Sequence, residues 1–423
     1  MNCFIFIEIS NNFMNIASLN YLKSKNTKII LLCKSILFYS SEITKFCDEI
    51  MEINTNQISS LISACNFIEK KDRIVGIMTL DDDFLVQTAE LKEYFGHKST
   101  SRKCLEAITN RFKMRSMLKK INQSFNPKFF FAKTLNEALL ATSEISFPFI
   151  VRPIQRSKYI YSKKITCVKD LKEYFLNNYS KNIYHSWENY YPCLLIEEEI
   201  IGNEYSVHFV KSEQGTIILA GVFKRENVLL DDGRFLNITT QFPAEYEESD
   251  FLFQKLIHIL PKIGFDLGLI QIDCKIFNNE VKILNIIPTI NQSIANYYVM
   301  QKSIGINFSK INIDLNLGLQ IEWYPLDLKE IVLYNSEGYN NELVYNDLCE
   351  KFKNRKEVEV IKIQRDDCPE NYLLTQHSDS LMVVSKSREL SKEVIRLVRS
   401  FKKIMKNVSW QFLAKFSRSR ARF

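Results

Sequence analysis

The stretch LLIEEEIIGNEYSVHFV, residues 194–210, constrains the chain more than any other, because two apolar strands meet across three carboxylates and one glycine. Leu194, Leu195 and Ile196 read as a buried strand, Gly202 and Asn203 supply turn chemistry, and 204–210 returns as a strand of alternating character. Alternation sends Glu197 and Glu199 to one face and Glu198 to the other. A strand that leaves the core on three acids opens onto solvent or onto a cleft. A hairpin with a solvated acidic turn and a ligand-binding hinge both satisfy the pattern.

The segments on either side are ordered strictly. Runs 3–9, 28–33, 51–53 and 74–79 read as strands separated by helical patterns, which predicts a parallel sheet with crossover helices. Asp81, Asp82 and Asp83 follow the fourth run at its carboxyl end, where open parallel sheets place ligands and where acids also cap helices. A helix over 84–95 stops at Gly96, and two more occupy 99–120 with Asn110-Arg111-Phe112-Lys113-Met114-Arg115 in the second. Strands at 129–131 and 149–152 and helices at 135–143 and 169–178 make a small lobe that closes at the acidic stretch. Beyond it come a strand at 216–224, a helix at 248–263, and strands 267–277 and 281–287 joined by Asn278-Asn279. The register of that pair places Asp273 and Asn285 near each other, facing one side. Further strands are expected at 330–334, 358–363 and 380–384, then a helix from 390 to about 405.

Spacing within the acidic stretch is distinctive: Glu197, then Gly202 five residues on, then Glu204 seven residues on. It resembles the nucleotide-binding hinge of ATP-grasp enzymes, and the surrounding segments fall in the order of that superfamily over roughly residues 1–322. Segment order and lengths are most similar to the carboxylate–amine ligases of the bacilysin-synthetase and carnosine-synthase type. The resemblance implies an α/β fold: an N-terminal parallel-sheet pre-ATP-grasp domain over 1–99, an ATP-grasp domain over 100–322 with its small lobe at about 129–195, and a β-rich C-terminal cap with a basic tail over 323–423. It also implies ATP and Mg²⁺, a carboxylate and an amine as small-molecule substrates, and an amide formed through an acyl phosphate. Residue by residue, Glu197 matches the first Glu of that nucleotide-binding hinge, backbone groups around Glu198 and Ile200 would meet the adenine edge, and Glu204 would hold the ribose. Arg111 and Arg152 stand where the superfamily has two phosphate-binding lysines, Lys224 matches a third basic position, and Lys113 is the fallback for Arg111. Asp273 and Asn285 stand at the metal positions. Dimers are common in that superfamily, so a homodimer is one expectation.

Three departures bear on chemistry. Arginine is a planar fork rather than a point charge, so it does not replace lysine neutrally at a shaped phosphate site. The segment Ile154-Gln155-Arg156-Ser157-Lys158-Tyr159-Ile160-Tyr161 takes the place of a glycine-rich phosphate loop, yet no glycine stands between Gly96 and Gly202. The usual Glu-x-Asn-Pro-Arg run reads Asn285-Ile286-Ile287-Pro288-Thr289, which leaves Asp273 as the single carboxylate for Mg²⁺. The alternative to a working ligase is therefore a catalytically impaired homologue that binds nucleotide or a partner protein.

Charge and cysteine usage exclude other classes. The net charge of +7 is concentrated at the end: residues 391–423 hold ten Lys or Arg against Glu393, leaving the remainder at −2, which does not indicate a general nucleic-acid binder. The tail SWQFLAKFSRSRARF mixes aromatics with that charge and reads either as a solvated, frayed end or as a membrane or RNA contact. Ten scattered cysteines with no C-x-x-C pair suggest neither zinc nor disulfides, and with no signal-like start they predict a cytoplasmic protein. A dinucleotide-binding Rossmann enzyme is disfavoured because Ile9-Ser10-Asn11-Asn12-Phe13 occupies the place of G-x-G-x-x-G.

Overall fold

Apolar residues at nearly every position of the first strands require cover on both faces, and helices provide it. In the computed structural model, which describes residues 1–10, 13–154, 162–179, 193–230, 232–288, 294–323, 329–335, 341–355, 357–363, 380–385 and 392–396, four parallel strands form the first sheet. They are β1 Asn2–Ile9, β2 Lys28–Cys33, β3 Glu49–Glu52 and β4 Arg73–Leu80, in the order β3-β2-β1-β4. Ile5, Ile7 and Ile30 pack with Leu61 and Ile68 of helix Ile58–Glu69 on one face. Phe4, Phe6 and Leu31 meet Leu19 and Leu22 of helix Phe13–Ser24 on the other. At the end of β4, Asp81 accepts the amide of Asp83 and caps a short turn, so capping is one role this acid fills.

A second, antiparallel sheet joins β5 Phe129–Ala132, β6 Phe149–Pro153, β7 Lys163–Ile165 and β8 Leu194–Glu198 in the order β5-β8-β6-β7. Its apolar face, with Phe149, Val151 and Ile196, packs on Ala138, Leu171 and Phe175. Its other face carries Arg152 and Glu197 toward helix Arg111–Ile121.

The third sheet has eight antiparallel strands. They are β9 Asn203–Lys211, β10 Ile217–Leu229, β11 Phe235–Phe242, β12 Gly268–Phe277, β13 Glu280–Ile287, β14 Glu330–Asn335, β15 Val358–Ile363 and β16 Ser380–Ser385. Their order is β13-β12-β9-β10-β11-β14-β16-β15, so the C-terminal strands continue the sheet past β11. The β12–β13 turn has φ +50 and +60 at Asn278 and Asn279, the left-handed pair that a tight hairpin turn requires. β10 outruns its expected end at 224 because β11 pairs with it from Lys224↔Gln241 to Leu229↔Phe235. The helix expected over 248–263 divides into Tyr246–Leu256 and Ile259–Lys262, since Pro261 has no N–H to give a continuous ladder.

Among the described residues no helix is long and apolar enough to cross a membrane, and the nine described cysteines are free thiols. Residues 155–161, Thr289 and the tail after Arg396 lie outside the described residues. The readings made for the phosphate-loop segment, the run after Pro288 and the basic end therefore have no structural counterpart here.

Candidate functional site

The chain leaves the small sheet at Glu198 and enters the large one at Asn203, so residues 199–202 form the hinge between them. Gly202 has φ +131, and a Cβ there would lie 2.3 Å from the carbonyl oxygen of Ile276, so only glycine fits this crossing. Lys275 of β12 fastens the same turn by donating to the carbonyl of Ile200 at 3.0 Å.

Register fixes which side chains look into the cleft. Glu204 pairs with Arg225 on β10 and with Lys275 on β12, while Ser206 pairs with Asp273 and Asp273 with Asn285. Side chains at paired positions share a face. Glu204, Ser206, Arg225, Asp273, Lys275 and Asn285 therefore form one polar patch. Lys224 pairs with Tyr205, whose ring belongs to the apolar cluster on the opposite face, and its ammonium meets Glu248 at 2.5 Å. The structure thus separates Lys224 from Glu204 and Asp273 and puts Arg225 beside them, because neighbours in a strand point to opposite faces.

The patch continues into the small lobe. Glu197 is 2% exposed and its carboxylate is gripped from both sides by Arg115 and Arg152. Burial alone would lift this carboxyl, but the two guanidinium groups outweigh it and hold the group below the ordinary carboxylate range. Arg115 is fully buried and also donates to the carbonyl of Ile283 at 2.6 Å. Arg152 reaches the Asn285 side-chain oxygen at 3.2 Å, and Asn285 in turn lies 3.4 Å from Asp273. One connected array, Arg115–Glu197–Arg152–Asn285–Asp273–Arg225, thus spans the helix, the small sheet and the large sheet.

Each residue singled out in the sequence has a definite place. Glu197 is enclosed between Arg115 and Arg152. Glu198 is half-buried, and its amide donates to the carbonyl of Lys128 at 3.0 Å. Glu204 is half-buried at the mouth; burial raises its carboxyl above the usual value, Arg225 opposes that shift and Asp273 adds to it. Arg111 opens helix Arg111–Ile121, donates to the carbonyl of Pro153 at 2.7 Å and lies half-buried next to the end of β6. Lys113 is exposed and turned toward Glu106 at 3.6 Å, away from the array.

Asp273 and Asn285 do come together, yet they do not suit Mg²⁺. The Asp273 carboxylate, 4% exposed, already accepts from Ser206 at 2.5 Å and Gln271 at 2.6 Å, with Arg225 at 3.5 Å. Two guanidinium groups border the position, and a divalent cation there would meet their charge where Glu197 is already taken up by Arg115 and Arg152 and Glu204 faces Arg225. No group of three or more His, Cys, Asp or Glu among the described residues is arranged to hold a metal.

Arg115, Arg225 and Lys275 were not singled out from the sequence. Arg115 carried one signal, since Leu118, three residues on and on the same face of the helix, is apolar and buried with it. Arg225 needed only the strand alternation from Glu204 across the hairpin.

No protein-family model and no curated protein matches the chain. Solved structures do match along nearly its whole length. L-amino acid ligase from Bacillus licheniformis superposes with a TM-score of 0.68 at 16% identity, covering 94% of this chain and 97% of that one. N5-carboxyaminoimidazole synthetase from Staphylococcus aureus complexed with ADP gives 0.68 at 16% identity, covering 94% and 96%. Phosphoribosylglycinamide synthetase from Anaerococcus prevotii gives 0.61 at 12% identity, covering 95% and 98%. At these identities the likeness is one of fold.

Proposed function

We propose, taking the ATP-grasp fold of this chain as premise, that it is an ATP-dependent ligase joining a small-molecule carboxylate to an amine. The reading is carried by one observation: Glu204 at the end of the hinge shares a sheet face with Arg225 and Asp273, and Asn285 links that face to Arg152 across the cleft. A purine would lie against the hinge at Glu198 and Ile200, with Glu204 accepting from the ribose hydroxyls. Arg111, at the start of a helix with no acid in its first turn, and the partly exposed Arg225 would meet the phosphates. Arg152 and Arg115 act behind them, fixing Glu197 and Asn285.

In the reaction, a substrate carboxylate oxygen takes the γ-phosphoryl group and ADP leaves. The amine nitrogen then attacks the acyl carbon, phosphate departs, and the amine loses its proton. Guanidinium groups facing the developing charge would supply the electrostatic part of catalysis. Mg²⁺ has no fitting ligand set at Asp273 and Asn285, so the positive charge facing the phosphates is that of the arginines.

A second reading, nucleotide binding without turnover, is favoured by the commitment of Asp273 to protein donors. The two separate on incubation with ATP and pairs of amino acids. The ligase reading expects ADP and phosphate to appear only when carboxylate and amine are both present. Bound ATP with release at background for every pair would establish the second.

A further inference from the structure

Lys92 lies on the inner side of helix Leu85–Tyr94, 6% exposed, where the parallel sheet meets helix Phe308–Asn316. Its ammonium donates to the side-chain oxygen of Asn316 at 2.8 Å, a neutral partner. No carboxylate pairs with it among the described residues, and burial pushes its pKa down to about 8. An ammonium has three N–H donors, and charge buried without an acceptor is costly. Beside it opens a cavity of about 110 Å³, lined by Lys92, Ser99, Thr100, Asn316 and the aspartates Asp81 and Asp82 among others. That volume is several times the roughly 10–15 Å³ needed to admit one water.

The donors lining it are unevenly used. Thr100 accepts from the amides of Asp266 and Leu267 and donates to the Leu267 carbonyl. The Asn316 amide donates to Asn312. The Ser99 hydroxyl, by contrast, is buried with no hydrogen-bond partner among the described residues. Two ammonium N–H groups beyond the one given to Asn316 and one hydroxyl thus border a space large enough for a few atoms, which Asp81 and Asp82 border as well. The cavity abuts the carboxyl end of β4, where open parallel sheets place ligands, and the Pro288 end of β13.

We infer that this cavity is a binding site for a small oxoanion or carboxylate, held by the Lys92 ammonium and the Ser99 hydroxyl. The site stands apart from the nucleotide reading and survives its failure. A structural strut between Lys92 and Asn316 explains the single hydrogen bond but neither the open space nor the unused hydroxyl.

The test is thermal unfolding of the full chain at pH 7 and constant ionic strength, with chloride, phosphate, acetate or glycine added. Binding predicts a saturable rise of about 2 °C or more with phosphate or with a carboxylate, and none with chloride alone. Phosphate alone raising it identifies an inorganic oxoanion, and acetate or glycine alone an organic carboxylate. Lys92→Met removes the response and, by relieving the buried charge, raises the basal midpoint; Ser99→Ala leaves the fold intact and weakens the response. Arg225→Met, which alters the cleft, keeps it. No saturable rise with any of the anions, or a rise undiminished in Lys92→Met and in Ser99→Ala, overturns the inference.

Discussion

A carboxylate enclosed by two guanidinium groups is energetically demanding. Removing one member of such a buried array leaves an uncompensated charge, which costs about 3–5 kcal/mol. Glu197, Arg115 and Arg152 therefore hold the two lobes in a fixed relation whatever they contribute to chemistry. His208 makes the complementary point on the same sheet face. It is 1% exposed and edge-on to Phe223, and burial, with the charge of Arg225, pushes its imidazole from 6.5 to about 3. The folded protein keeps His208 neutral while the unfolded chain protonates near pH 6.5, so its effect is absent above that pH and stability falls as pH drops from 6.5 toward 3. At pH 5 the loss from this residue is about 2 kcal/mol. Urea unfolding of wild type and His208→Gln at pH 7.5 and pH 5 checks it: wild type should lose about 2 kcal/mol more than the variant on acidification. Equal losses would remove His208 from the acid response. The types of residue at the site were readable from the sequence, since Glu197, Arg152, Asp273 and Glu204 were all singled out. Their partners were not, because the contact of Arg115 with Glu197 crosses 82 positions and depends on packing between lobes.

At the level of elements, the hinge is governed by Gly202. Its positive φ and the nearby Ile276 carbonyl both oppose a side chain, so Gly202→Ala should destabilise by roughly 1–3 kcal/mol. Gly215, at φ +85 with nothing within 4 Å of a Cβ, isolates the strain from the clash, and Gly215→Ala should cost less in the same thermal melts. Similar losses in the two variants would mean that the close approach to Ile276 carries no weight. The hinge glycine, the Asn278-Asn279 hairpin and the parallel βα units were legible because each rests on local chemistry: positive φ, a tight turn, or covered apolar runs. β11 was not. Its sequence, FLNITTQF, buries Thr239 and Thr240 side by side between neighbouring strands, so no alternation of polarity marks it. Helices Ile294–Ile304 and Phe308–Asn316 were likewise unread: the first carries apolar residues around much of its circumference, and in the second Ile311, Ile313 and Leu315 alternate with Asn312 and Asp314 in a strand-like pattern.

For the whole molecule, the order of segments follows from the chain, but the facing of segments does not. Sequence order was sufficient to align the parallel sheet, the small lobe and the paired strands of the large sheet. It was insufficient to tell Lys224 from Arg225, which lie on opposite faces of one strand, and that difference decides where positive charge enters the cleft. With Arg225 and Arg152 bordering Asp273 and Asn285, nucleotide is expected to be held by guanidinium groups without a divalent cation. The most direct measurement is calorimetric titration of the full chain with ATP, once with Mg²⁺ and once with EDTA. Saturable one-to-one binding is expected, with dissociation constants agreeing within about threefold, and a loss of about tenfold, near 1.4 kcal/mol, in Glu204→Ala. Binding that vanishes with EDTA would contradict the role given to the arginines, and no binding under either condition would contradict the nucleotide cleft itself.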